Sequence, residues 1–241
     1  MGMPITVEIA GNGHEGIIEK IFEYFSFIDE TFSTYKESSE IQKINTGLLL
    51  EKDFSAEMKT VLSLSEQTKQ QTNGFFDIQT PQGTLDPSGL VKGWAIYQAA
   101  DIITKAGLKN FFIEAGGDIQ TSGQSGDGSP WKIGIKNPFN EKEIIKTVLI
   151  TDQGIATSGN YIRGQHIYNP KKPQGALKDI VSLSVIGPNI YEADRFATAA
   201  FAMGKTGILF IEQLPGFEGY SIDKNGIATM TSGFEKYCVA S

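Results

Sequence analysis

Residues 74–77 and 86–94 constrain the fold more than any other part of the sequence, because they gather charged side chains and glycines at the predicted start of a helix. These two segments contain two carboxylates, one ammonium group and three glycines. From Pro87 onward the apolar residues recur with a helical period, and Gly107 follows as a stop signal. The pattern predicts a helix over residues 88–106. Its apolar positions are Leu90, Val91, Trp94, Ala95, Ala99, Ile102 and Ile103.

The start of this predicted helix is a candidate site for anions. Asp86 or Ser88 lies near the N-terminus, where unpaired backbone N–H groups and the helix dipole attract negative charge. Lys92 follows one turn later and can reach a phosphate group. An ordinary helix with an acidic cap and a solvated lysine carries the same residue types. As a site, the group would suit a phosphorylated ligand and a hard cation.

Composition limits the classes of protein that this sequence can encode. The 241 residues are 40% hydrophobic and 20% charged, which predicts a soluble globular protein with a single domain over residues 1–241. A net charge of −7 argues against binding to nucleic acid or to an anionic membrane surface. Cys238 is the only cysteine, and no apolar run approaches the roughly 18 residues of a membrane span. We expect a cytoplasmic location, with export and removal of a leader as the alternative.

Helical and strand patterns alternate without a regular strand–helix–strand repeat, which predicts an α+β fold with mixed or antiparallel sheets and flanking helices. Helical periods cover residues 16–35 and 55–73, with one short turn over 41–45 and a last helix over 191–212 that Gly204 or Gly207 could interrupt. Asn225-Gly226 predicts a final hairpin. Strand patterns cover residues 5–9, 111–115, 131–135, 147–150, 155–156 and 180–186.

Two further groups carry possible chemistry. Asp194 and Thr198 lie four residues apart on the last predicted helix and so share a face. A carboxylate and a hydroxyl one turn apart can ligate Mg²⁺, although such pairs are also common in ordinary helices. Since His14 lies in a glycine-rich loop, His166 is the credible imidazole for acid–base chemistry. A single histidine near a turn is also often structural.

Taken together and in order, these segments resemble the bacterial ApbE family of FAD:protein FMN transferases. The resemblance extends from residue 1 to about residue 204. Each stretch alone is a weak pattern, but their order makes a chance resemblance improbable. The matching stretches are residues 1–2, 32–35 with 39–41 and Asn45, 74–77, 86–93, 115–119, 156–161, 166–167 with 169–170, and 193–194 with 197–199.

The resemblance implies a single compact ApbE-like domain, also described as T-fold-like, and a defined reaction. In that reaction FAD is split at its pyrophosphate, FMN is joined through its phosphate to a threonine or serine hydroxyl of an acceptor protein, and AMP leaves. Mg²⁺ would be held by Asp194, Thr198 and the backbone carbonyl of Gly89. His166 and Lys92 would be the catalytic residues. The FAD site would be lined by Met1, Tyr35, Phe75, Phe76, Asp77, Asp86, Lys92 and His166.

Some positions depart from the family pattern, and they concern mainly the acceptor side. Asn169 stands where the family usually has an acid, Tyr97 replaces a common aspartate, and residues 171–175 match the family segment only loosely. Because Asp86, Lys92, Asp194 and Thr198 are intact, binding of FAD and Mg²⁺ is the firmer expectation. Two alternative functions therefore remain: a Mg²⁺-dependent FAD pyrophosphatase that releases FMN and AMP, and a non-catalytic FAD-binding protein.

Overall fold

A computed structural model describes residues 2–159, 167–172, 177 and 179–239 of the chain. Its centre is a seven-stranded sheet in the order β1-β2-β3-β6-β7-β8-β9, and the strand pairings are antiparallel. A separate hairpin is formed by β4 and β5. The strands are β1 (Ile5–Ile9), β2 (Phe111–Ala115), β3 (Asp118–Ser122), β4 (Trp131–Asn137), β5 (Asn140–Ile150), β6 (Gly154–Gly159), β7 (Ile180–Gly187), β8 (Glu218–Asp223) and β9 (Ala228–Met230).

Six α-helices accompany the sheet within the described residues, together with three short 3₁₀ turns. None of these helices has both the length and the apolar character that crossing a membrane requires. The α-helices are α1 (Glu15–Phe32), α2 (Glu40–Asn45), α3 (Ala56–Gln71), α4 (Ser88–Lys105), α5 (Ile190–Ala202) and α6 (Gly207–Glu212).

Alternating strand residues feed two separate hydrophobic cores on the two faces of the sheet. Phe111 and Ile113 of β2 pack with the helices, whereas Phe112 between them packs with Trp131 of the β4–β5 hairpin. Ala156 and Ile155 of β6 divide between the two cores in the same way. The sheet is therefore covered by helices on one face and by the hairpin on the other, which confirms the predicted α+β fold.

Most predicted elements are present with ends shifted by a few residues, whereas β5 begins at Asn140 and not at residue 147 as predicted. Two further differences have clear causes. Strand β3 was not predicted, because its sequence Asp-Ile-Gln-Thr-Ser is mostly polar. The strand is nonetheless buried between neighbouring strands. The hydroxyl and the backbone N–H of Thr121 both donate to the carbonyl oxygen of Gln153. The predicted helix over 191–212 is divided into α5 and α6, since Gly204 adopts a φ of 68° and ends the first of them.

Candidate active site

Helices α4 and α5 cross very closely because glycine occupies two successive turns of α4. A Cβ atom on Gly93 would lie 2.5 Å from Cβ of Asp194 and 2.7 Å from the carbonyl oxygen of Ile190. A Cβ atom on Gly89 would lie 2.9 Å from Cγ2 of Thr198. These distances are too short for any larger residue without a shift of the helices, so the glycines set the crossing.

This crossing collects oxygen atoms from residues that are far apart in the sequence. Oδ2 of Asp194 accepts a hydrogen bond of 2.8 Å from the backbone N–H of Gly93. The hydroxyl of Thr198 donates to the carbonyl oxygen of Gly89 at 3.1 Å. The three residues expected to hold a metal are therefore neighbours, although they come from two different helices.

The carboxyl group of Asp194 lies in an electrostatically unfavourable position. Burial raises its pKa well above the ordinary value, and the adjacent carboxyl group of Asp118 raises it further. Lys92 and the N–H of Gly93 act in the opposite direction without cancelling these effects. A buried carboxylate with this balance is stabilised by a nearby cation.

Asp118 is a member of this group that sequence reasoning missed. Its carboxyl group is 1% exposed, and Oδ2 lies 2.6 Å from Nζ of Lys92. Its other oxygen accepts a hydrogen bond of 3.1 Å from the backbone N–H of Thr157. The available signal was the Gly116-Gly117 pair that precedes it, because two glycines at a strand end permit a close approach of the backbone to a ligand, although they are equally common in a plain tight turn.

A cleft of about 760 Å³ opens at this group of residues. Its volume lies within the range of about 300–1,000 Å³ that is usual for small-molecule sites. One end is polar and includes Asp86, Lys92, Asp194 and Thr198. The apolar part is lined by residues of the sheet and the hairpin, namely Phe112, Ile119, Ile133, Ile135 and Ile155.

The loop before α4 places further predicted residues on the cleft wall. Phe75, Phe76 and Asp77 line the cleft together with Asp86. Oδ1 of Asp86 accepts from the backbone N–H of Ser88 at 3.0 Å and so shapes the entrance to α4. Oδ1 of Asp77 likewise accepts from the backbone N–H of Gln79 at 2.9 Å, so local turns fix the positions of both carboxylates.

A second segment, residues 167–172, packs against that loop. The hydroxyl of Tyr168 donates to the carbonyl oxygen of Gln79 at 2.9 Å. Nζ of Lys171 lies 4.3 Å from the ring centre of Phe75. Burial and the nearby carboxylates of Asp77 and Asp86 raise the pKa of Tyr168 to about 12, so its hydroxyl stays protonated. Tyr168 lines the cleft and was not predicted from the sequence.

One predicted residue lies away from the cleft, and two others lie outside the described residues. The side chain of Tyr35 is 95% exposed and is not among the described residues that line the cleft. It follows the end of α1 at Phe32, where the chain turns into a polar loop. Met1 and His166 lie outside the described residues, so their predicted roles stay predictions.

The donor atoms at the polar end suit a hard cation. The described residues contain no cluster of three or more histidine, cysteine or acidic side chains that could bind a metal by themselves. The neighbouring groups are instead a carboxylate, a backbone carbonyl and a hydroxyl, all with oxygen as the donor. Such mixed oxygen sets, which leave positions for water and phosphate, are typical of Mg²⁺.

The fold and the cleft define an α+β protein in which two helices cross at glycine residues, beside a buried acidic group and at one end of a pocket of about 760 Å³. A family model described as the ApbE family matches residues 1–82 and 79–221. This match covers most of the chain, and the chain therefore belongs to the ApbE family.

Curated relatives are named FAD:protein FMN transferase. The protein of Vibrio cholerae serotype O1 is 29% identical over 170 residues, which cover 67% of this chain and 49% of the relative. The protein of Escherichia coli strain K12 is 26% identical over 174 residues, covering 68% of this chain and 49% of the relative. The chain thus spans about half the length of these relatives.

Solved structures of the family have the same fold. The flavin transferase ApbE from Vibrio cholerae superposes with a TM-score of 0.85 at 21% identity, covering 98% of this chain and 96% of the other. The apo flavinyl transferase ApbE from Pseudomonas stutzeri gives 0.84 at 20% identity, with coverages of 100% and 95%. The antiparallel sheet and flanking helices are therefore an architecture shared with flavin transferases.

Proposed function

We propose that this protein transfers the FMN part of FAD to a threonine or serine hydroxyl of an acceptor protein, in a reaction that requires Mg²⁺. The observation that carries the proposal is the meeting of Gly89, Asp194 and Thr198 at the polar end of the cleft. Membership of the ApbE family and the names of the curated relatives support the same reaction.

In this reaction one bond between phosphorus and oxygen forms while another breaks. The acceptor hydroxyl attacks the phosphorus atom of the FMN half, and the pyrophosphate bond to the AMP half breaks. AMP leaves with the electron pair of that bond, and the acceptor loses its hydroxyl proton. Catalysis of such transfers depends mainly on positioning and on stabilising charge at the phosphate oxygens.

The chain supplies positive charge and backbone donors for the phosphates. The N-terminus of α4 lies at the cleft, where Ser88 and Gly89 are lining residues, and the positive end of the helix dipole favours negative charge there. Lys92 lies one turn further on with its side chain 16% exposed, and it lines the same cleft. Both features stabilise negative charge on a bound pyrophosphate.

Asp194, Thr198 and the carbonyl of Gly89 would hold Mg²⁺. When bound, this cation would supply Lewis-acid stabilisation of the pyrophosphate oxygens. The all-oxygen donor set and the buried carboxylate of Asp194 fit that role. Asp194 and Thr198 also hydrogen-bond α5 to α4, so the same two residues would hold the cation and stabilise the helix crossing.

Removal of the acceptor's proton is assigned to His166, on the family resemblance alone. The flavin and adenine rings would contact the aromatic and apolar lining of the cleft, including Phe75 and Tyr168. The cytoplasmic location and the absence of nucleic-acid binding stay predictions.

One incubation separates this function from its two alternatives. Purified protein is mixed with FAD and Mg²⁺, with and without a flavin-accepting domain. A transferase gives an acceptor with covalently attached flavin, whose fluorescence stays with the acceptor during denaturing electrophoresis. A pyrophosphatase gives free FMN and AMP with or without the acceptor. Unchanged FAD that stays bound to the protein would identify a non-catalytic flavin binder and contradict the proposal.

A further inference from the structure

Asp118 is unusual for a residue at a hairpin turn, because its charged side chain is buried. It begins β3 directly after Gly116 and Gly117, which both have positive φ, at 58° and 92°. This tight turn sends the chain back along β2 and directs the Asp118 side chain into the interior. A polar side chain that is 1% exposed is unfavourable unless it has charged or hydrogen-bonding partners.

The partners of Asp118 lie on three different elements. Lys92 comes from α4, and its Nζ is 2.6 Å from Oδ2 of Asp118. The backbone N–H of Thr157 on β6 donates to Oδ1 at 3.1 Å. The carboxyl group of Asp194 on α5 is a neighbour of Asp118. Asp118 thus joins the sheet to both helices of the crossing.

Asp118 lies behind the cleft and does not line it. Among the described residues, Lys92 and Asp194 line the cleft and Asp118 does not. It therefore acts on a ligand in the cleft through its two neighbours. Two carboxylates face one ammonium group here, so the three side chains carry a formal charge of −1 when all are ionised.

This charge balance distinguishes a role in the site from a role in folding alone. When a buried ion pair only joins structural elements, removal of either partner lowers the stability of the folded protein. A pair beside a cation site acts differently, since removal of its acid weakens cation binding while removal of its base strengthens it.

We propose that Asp118 is a positioning residue of the candidate cation site, holding Lys92 in place and contributing the negative charge that attracts a divalent cation. The inference rests on the cation site in the proposed function. It assigns Asp118 no contact with FAD.

The test measures binding of Mn²⁺, as a substitute for Mg²⁺, by calorimetry in the absence of FAD. Four proteins are compared: the parent, Asp118→Asn, Lys92→Met and the double variant. We expect Asp118→Asn to bind about 10- to 100-fold more weakly, as for other residues that support metal ligands. Lys92→Met should bind at least about threefold more tightly, because a competing positive charge is lost. The double variant restores the formal charge and should lie within about threefold of the parent.

Asp77→Asn is the matched control. Asp77 also pairs with a lysine, Lys69, at 2.7 Å and also accepts from a backbone N–H, that of Gln79, at 2.9 Å. Asp77 lines the same cleft but is not a partner of Asp194. If contact with Asp194 is what matters, Asp77→Asn should therefore leave the Mn²⁺ affinity unchanged. Thermal unfolding of every variant separates loss of the site from loss of the fold.

Several results would overturn the inference. These are an Asp118→Asn variant with parental affinity, or a double variant that binds more weakly than Asp118→Asn. If Asp118→Asn does not fold, Lys92→Met decides alone, and unchanged or weaker binding by it contradicts the inference. A parent protein that binds no Mn²⁺ would refute the proposed cation site and this inference with it.

Discussion

The two ends of the cleft are built in different ways. At the polar end, α4 and α5 cross at glycine positions, and Asp194 and Asp118 are 4% and 1% exposed. At the loop end, residues 167–172 rest on residues 75–79 through one hydroxyl and one contact between an ammonium group and a ring. The first end depends on close helix packing, and the second depends on a few contacts near solvent.

This difference predicts how each end responds to change. Closely packed and buried groups have no room to adjust, so a single substitution there should have a large effect. Groups at the loop end can recover hydrogen bonds from water, so their loss should have a small effect. The following changes test this contrast.

Asp194→Ala should have the largest effect. It removes the carboxylate expected to hold the cation, and we expect the proposed FMN transfer to fall by about 10³-fold or more. Turnover of FAD at saturating Mg²⁺ measures the effect. Circular dichroism should show that the fold persists. Full activity in a folded Asp194→Ala protein would refute the metal assignment.

Gly93→Ala should disturb the helix crossing itself. Its Cβ atom would lie 2.5 Å from Cβ of Asp194, and overpacking of this kind costs about 1–3 kcal/mol. The free energy of unfolding in urea measures the loss. Gly16→Ala in α1 is the control, because its Cβ atom meets nothing within 4 Å and should be neutral or slightly stabilising. Equal effects of the two substitutions would show that the crossing is not tightly packed.

Thr198→Val should weaken cation binding about tenfold, since the side chain keeps its shape but loses the hydroxyl near the carbonyl of Gly89. Thr198→Ser keeps the hydroxyl and should bind Mn²⁺ nearly as well as the parent. Calorimetric titration compares the three proteins. If the valine and serine variants behave alike, the hydroxyl is not a ligand.

The stability of the metal-free protein should fall as pH rises. Asp194 has a pKa that is raised in the folded protein, so its folded state holds a proton more tightly than its unfolded state. The contribution of Asp194 to the free energy of unfolding is therefore fully present below the ordinary aspartate pKa of about 4, and it is lost as the pH rises through the raised pKa of the folded protein. Urea denaturation with a chelator, from about pH 5 to about pH 8, should show this slope.

Two controls accompany that measurement. Asp194→Asn cannot ionise and should show a flatter dependence than the parent. Added Mg²⁺ should stabilise the parent more at the high end of the pH range, where Asp194 is ionised. A parent and an Asp194→Asn variant with the same slope would contradict the assignment.

Tyr168→Phe should have the smallest effect. It removes the hydrogen bond to the carbonyl of Gln79, which contributes about 1 kcal/mol, and FAD affinity should fall only a few-fold. Tyr237→Phe is the control, because its hydroxyl accepts from Gln153 at 2.8 Å and it is not among the described residues lining the cleft. It should lose similar stability and keep its FAD affinity. A large loss of FAD affinity in Tyr168→Phe would show that the loop end is as constrained as the helix crossing.

Local patterns in the sequence were sufficient for most elements and for part of the site. The helical period after Pro87 located α4, and the spacing of Asp194 and Thr198 placed both on one face of α5. The family resemblance added Gly89. Tyr35 was expected at the flavin site on the resemblance as well, but its side chain points to solvent from the loop after α1.

The sequence by itself determined the α+β class and the helices that carry the site, because amphipathic periods, caps and glycine stops act between residues that are near neighbours in the chain. Only the tertiary structure decided that Asp118 pairs with Lys92 and that Gly93 contacts Asp194, 101 positions away. Such contacts depend on how α4, α5 and β3 pack, and packing distances leave no periodic pattern in the sequence. The strand that carries Asp118 was missed for the same reason, since its burial comes from its neighbours and not from its own residues.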